Sequence, residues 1–180
     1  MSARDKLEEA KFFLEKLRVS SQGLPQDLPT QRESCYYLSR FQCASVSVMD
    51  YLLEDYNVKF GLNIPLSERY FRGAFKREAK RLGNEAALNF FNWWRGQKES
   101  LANDPIGKQV IGKRHIQIHR VPTKPDLAKI KTGDGIVPRV AEPSFNWFSS
   151  DYADEPIITV CEKFLGKLGS LVLEAENRFL

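Results

Sequence analysis

The stretch DEPIITVCEKFLGKLGSLVLEA, residues 154–175, decides the fold. Within it Ile157, Cys161, Phe164, Leu168, Leu171 and Ala175 recur at alternating intervals of four and three. On a helix of 3.6 residues per turn that spacing lines six apolar side chains along one stripe, and Asp154-Glu-Pro156 marks where the helix starts. An apolar stripe of this length must be covered, and in a chain where the same period keeps returning the cover is other helices.

It does return. Ser2 with Asp5 has the spacing of a capping box, and Leu7, Ala10, Leu14 and Leu17 follow as one stripe. The glycine- and proline-containing residues from Ser20 to Pro29 read as a loop. A longer helix is expected from about Arg32 to Asn57, with Tyr37, Phe41, Ala44, Val48 and Tyr51 on one face and Leu38, Val46, Met49 and Leu53 on a second. A helix apolar on two sides belongs inside a bundle. After the break from Gly61 to Pro65, Ser67 is expected to cap a third helix carrying Tyr70, Ala74, Arg77 and Arg81. Gly83-Asn84 ends it, and Asn84 caps the next, Glu85 to Ala102, whose Asn-Phe-Phe-Asn-Trp-Trp cluster reads as core more readily than as a base-stacking platform. Asp104-Pro105 then reads as cap and first-turn proline of a helix through Ile106, Val110 and Ile111.

From about 123 to 154 the pattern changes to Pro, Lys, Gly and Asp, with Thr132-Gly-Asp-Gly135 placed as a turn between two short runs of strand type. The expected architecture is therefore mainly α: one domain spanning 1–180, an up-and-down helical bundle with an irregular or β-hairpin insertion before the last helix.

Composition narrows the function classes. The 180 residues suffice for one well-packed domain, and a charged fraction of 28% argues against wholesale disorder. Three cysteines, Cys35, Cys43 and Cys161, form no CxxC pair and are odd in number, which fits buried thiols in a reducing compartment better than a disulfide framework. The first residues are too polar for a secretion signal and no apolar run reaches membrane-spanning length, so the expected location is cytoplasmic, with no membrane partner. The net charge of +4 is unevenly spread: between Arg69 and Arg120 twelve Lys/Arg face four acids, a local excess of +8. A basic middle suits a polyanion such as RNA, although a solvated helix face gives the same count.

Both histidines of the chain fall inside this basic half, in Lys113-Arg-His-Ile-Gln-Ile-His-Arg120. Imidazole takes and gives a proton near neutral pH, and guanidinium presents a planar fork of donors to phosphate. The pair has no Glu or Cys companion at ligand spacing, so neither a metal site nor a cofactor is expected. No glycine-rich phosphate loop is present, Gly107 and Gly112 being isolated. On a straight helix Arg114 and His119 diverge by about 140°. They converge if the helix ends near His115, or if two copies meet across a dimer axis; the alternation of His115-Ile-Gln-Ile-His119 also permits a strand.

Arg114-His115-x-x-x-His119 resembles the R-x4-6-H signature of the HEPN superfamily, with His115 in the polar slot after the arginine. The resemblance implies a bundle of four or more helices, usually a homodimer, with the motif near the end of the penultimate core helix. It further implies a metal-independent endoribonuclease of toxin–antitoxin or phage-defence type, with an antitoxin or nucleotidyltransferase partner. Other members of the superfamily are non-catalytic modules that bind a protein, a nucleotide or RNA. On the nuclease reading Arg114, His115 and His119 form the catalytic set, while Lys108, Lys113 and Arg120 track the RNA backbone.

Overall fold

The computed structural model describes residues 1–21, 28–68, 70–111, 127–132, 135–140 and 156–179. The capping box closes as its spacing requires: the Ser2 N–H donates to Asp5 Oδ2 at 2.7 Å and the Asp5 N–H to Ser2 Oγ at 3.2 Å. It opens α1, Ala3–Ser21, whose Leu7, Ala10, Leu14 and Leu17 are buried. Helix α2, Leu28–Lys59, begins four residues before the expected Arg32. Pro29 lies in its first turn, where the missing N–H needs no partner, so the proline extends the helix's reach rather than ending the loop. On the second apolar face of α2 Leu38, Met49 and Leu53 are buried and Val46 is half-buried; on the first Phe41, Ala44 and Val48 are buried, whereas Tyr37 and Tyr51 are half-buried at the margin, and Leu52 and Tyr56 add to the core.

Helix α3, Phe71–Arg81, corrects one expectation. Ser67 does not cap it; the cap position is Tyr70, which makes no side-chain capping bond. The reason is local. The Glu68 N–H donates to Pro65 O at 3.0 Å, so Ser67 is used up inside a turn that finishes before the helix starts. At the other end Gly83, with φ +60°, donates to Lys80 O, and Asn84 donates to Ala79 O, the paired bonds of a Schellman close. Gly61, φ +62°, ends α2 in the same way with Leu62 returning to Asn57 O. Asn84 then caps α4, Glu85–Asn103, its Oδ1 accepting from the Ala87 N–H at 2.9 Å. Residues 105–111 form α5, and Ile157–Arg178 form α6. Strands β1, Leu127–Thr132, and β2, Gly135–Val140, pair antiparallel with Leu127 opposite Val140 and Thr132 opposite Gly135.

Long-range bonds give the helix directions. Ala3 meets Asp55 while Ser20 meets Ser34, so α1 and α2 run antiparallel. Arg4 pairs with Glu176 and Arg18 with Glu162, so α6 runs against α1. Phe90 stacks on Tyr56 and the Trp94 indole donates to Met49 O, so α4 runs against α2. Trp93 meets Glu174 while Asp104 meets Lys167, so α4 also runs against α6. The result is a mainly α, up-and-down bundle of α1, α2, α4 and α6, with α3 packed against α4. Its core is aromatic. Phe41, Phe75, Phe90, Trp94 and Phe164 have almost no exposed surface; of the Asn-Phe-Phe-Asn-Trp-Trp cluster, Phe90, Phe91 and Trp94 lie in the interior, while Trp93 is half-buried and both asparagines are exposed. Tyr56 keeps its hydroxyl satisfied on Ala175 O at 2.6 Å, and burial first, then Glu176 and Asp55, pushes its pKa up to about 12. Among the described residues no helix is long and apolar enough to cross a membrane.

Candidate functional site

Arg114, His115, His119, Lys113 and Arg120 lie outside the described residues. Lys108 is described; it is exposed on α5. The structure therefore speaks to the approach to the Arg/His segment, and that approach is firmly built. Asp104 is both the C-cap of α4 and the N-cap of α5: its N–H donates to Ser100 O at 2.9 Å, while its Oδ1 accepts from the N–H groups of Ile106 and Gly107 at 3.0 and 3.1 Å. The second carboxylate oxygen takes the Lys167 ammonium of α6 at 2.6 Å. Pro105 occupies the first turn of α5, as its sequence position suggests.

Such a tight elbow leaves no room at Gly107. A Cβ there would sit 1.7 Å from the Leu101 carbonyl oxygen and 2.8 Å from its carbon. The last described turn of α5 is also anchored, because Val110 is fully buried and its carbonyl accepts from the Gln42 side chain of α2 at 3.4 Å. Residues entering the Arg/His segment thus leave from a point fixed against both α2 and α6.

Two amides beside that point are unusual. Gln42 and Gln109 are 1% and 3% exposed, yet among the described residues Gln42 Oε1 and Gln109 Nε2 have no hydrogen-bond partner. A buried polar atom without a partner costs about 1–3 kcal/mol. Replacing Gln109 by the similarly shaped methionine is therefore expected to raise the unfolding free energy by about 1 kcal/mol, read from chemical denaturation.

Asp104 supplies a second test. Burial works to raise its pKa, but the Lys167 ammonium and the Gly107 and Ile106 N–H groups outweigh burial and hold the carboxyl below its ordinary value. A depressed folded-state pKa adds stability that is fully present above the unfolded-state value, about 4, and disappears as pH falls through the folded-state value. Asp104→Ala should cost about 1–2 kcal/mol at pH 7. Asp104→Asn keeps the cap and should cost under about 1 kcal/mol at pH 7, a gap to wild type that narrows in denaturation curves as pH is lowered from the unfolded-state value through the folded-state one.

The basic half keeps its charge at the surface. Helix α3 exposes Arg72, Lys76, Arg77, Lys80 and Arg81 around one carboxylate, Glu78. Arg72 pairs with Asp50 and Arg81 with Glu78, while Lys76, Arg77 and Lys80 make no ion pair with any described residue. Lys98 of α4 joins Arg72 on Asp50, whose pKa burial would raise and these two cations lower on balance. The thiol of Cys161 is fully buried and pushed up by that burial, which leaves it packing rather than reactive. Among the described residues no three His, Cys, Asp or Glu side chains cluster.

A concavity lies at the far end of α2 from α5. Phe60, Ala86, Asn89, Asn92, Trp93, Arg178 and Phe179 line an open groove of about 690 Å³. It sits past the C-terminal end of α2, whereas α5 meets α2 at Gln42, roughly 27 Å away along the helix axis. Comparison of the chain with protein-family models, with curated proteins and with solved structures finds no match.

Proposed function

We propose that this chain is a metal-independent endoribonuclease of the HEPN type, acting as a homodimer that cuts RNA. The observation that carries the reading is the sequence Arg114-His115-x-x-x-His119, shortly beyond the last described residue of α5. A mainly α up-and-down bundle, an anchored approach and a cationic α3 are consistent with it.

Cleavage without a metal needs three services: a base for the 2′-hydroxyl, positive charge for the phosphoryl oxygens, and an acid for the leaving group. His119 of one copy accepts the 2′-OH proton as O2′ bonds to phosphorus. Arg114 holds the non-bridging oxygens as charge builds on them. The P–O5′ bond breaks, and His119 of the partner subunit donates a proton to O5′, leaving a 2′,3′-cyclic phosphate and a 5′-hydroxyl. His115 orients His119, shares proton transfer or contacts phosphate, and Lys108, Lys113 and Arg120 neutralise the flanking backbone. In a cell such an enzyme needs restraint, which an antitoxin or a nucleotidyltransferase partner supplies in toxin–antitoxin or phage-defence systems.

The test is purified protein with structured and unstructured RNA in EDTA, products resolved by terminal phosphate chemistry. Cleavage by wild type that persists undiminished in His119→Ala sinks the assignment. No cleavage at all, with loss of stability on replacing Arg114, would instead identify a non-catalytic binding module of the same fold.

A further inference from the structure

The groove at the far end of α2 has a lining that the proposed cleavage does not use. Asn89, Asn92 and Trp93 stand at i, i+3 and i+4 on α4, one turn apart on one face. Both asparagines are exposed, and neither side-chain amide hydrogen-bonds to any described residue. The aromatic surfaces around them are half-buried and held. Trp93 packs against Phe90 and Phe179 with ring centroids 5.9 and 5.5 Å away, and Phe60 packs on Tyr56 at 5.5 Å. Glu174 fixes two lining groups at once, accepting the Trp93 indole N–H at 2.7 Å and pairing with Arg178 at 3.5 Å. The Arg178 guanidinium lies over the Phe179 ring, 5.4 Å from its centroid, and keeps more than half of its side chain exposed.

Each component matches one part of a nucleotide. A flat aromatic face held in place stacks an unpaired base. A primary amide offers a donor and an acceptor side by side, the complement of a heterocycle edge, and two amides one turn apart read two positions. An exposed guanidinium at the rim suits a phosphate. The volume lies within the range of small-ligand sites. A pocket meant only for an apolar side chain would have no use for two uncommitted amides and a cation.

We propose that this groove binds one unpaired nucleotide, its base stacked on Trp93 and hydrogen-bonded by Asn89 and Asn92, its phosphate on Arg178. The site stands on these residues alone and does not require the chain to cut RNA. The nucleotide comes either free or as one unit of a single strand.

Calorimetric titration separates the two, using ribonucleoside monophosphates in one arm and 2′-O-methyl pentanucleotides in the other. The methylated strands cannot be cut by 2′-oxygen attack, so a failed cleavage reading leaves this experiment intact. Binding of monophosphates and pentamers alike indicates free nucleotides as a source, and binding of pentamers alone indicates a strand. In either case Asn89→Ala/Asn92→Ala, changed at exposed positions, should weaken binding roughly tenfold or more, and one base should be preferred. Arg178→Gln should weaken monophosphates more than the corresponding nucleosides. If neither ligand series binds below millimolar concentration, or the double asparagine variant binds unchanged, the proposal is overturned.

Discussion

Gly107→Ala is expected to be among the most damaging single methyl additions in the bundle. The new Cβ would need to occupy space 1.7 Å from a backbone carbonyl oxygen, and backbone cannot swing aside as a long side chain does. Either α5 moves away from α4 or the elbow at Asp104 opens. In the first case Val110 loses its buried seat against α2; in the second the bonds from Ile106, Gly107 and Lys167 to Asp104 are lost. Overpacking alone costs about 1–3 kcal/mol, and an unyielding neighbour with a broken cap adds to that, so a loss of about 3 kcal/mol or more is expected. Urea denaturation reads it directly. A Gly107→Ala protein within about 0.5 kcal/mol of wild type would mean that the elbow is not as tight as described. Gly96, which has open space around its missing Cβ, is the matched control, and alanine there should be neutral or slightly stabilising on an exposed helix face.

The second large effect concerns chemistry. If His119 transfers the proton, His119→Ala should lower the single-turnover cleavage rate by about 10²–10⁴-fold with little change in RNA affinity. Arg114→Ala should be comparably severe, and Arg114→Lys should recover only part of the loss, because an ammonium restores charge but not the planar fork. Because residues that act as a unit are not additive, the double variant should be little worse than the worse single. Thermal melts of the same variants separate this from misfolding: the catalytic reading requires melting points near wild type. A parallel fall of stability and rate would make the arginine a structural cation.

The bundle was largely readable from the chain because its signals are local. The apolar stripes of α1, α4 and α6, the Ser2–Asp5 box, the Asn84 cap and the Gly83 close each need only neighbours within a turn. Ser67 misled for the same reason: a serine before an apolar run is a cap signal, but the preceding Pro65 had already committed it to a turn. The lining of the groove was hidden. Asn89, Asn92 and Trp93 are close in sequence, yet Phe60, Arg178 and Phe179 join them only through the antiparallel packing of α4 on α2 and α6. The ion pair from Lys167 to Asp104 spans 63 positions, and no periodicity points to it. The unmet amides of Gln42 and Gln109 were equally invisible, since a glutamine inside an apolar pattern carries no mark of what it will face. Of the residues proposed for RNA chemistry, only Lys108 falls within the described structure.

The two ends of the bundle differ in how they are joined. At one end Tyr56, Phe90, Trp93 and Phe179 lock three helices together through ring contacts that demand no water. At the other, α5 is held by a carboxylate, a lysine and amides whose hydrogen-bonding capacity is only partly met. Brief excursions from the native state should therefore begin at α5 and die out before reaching the aromatic end.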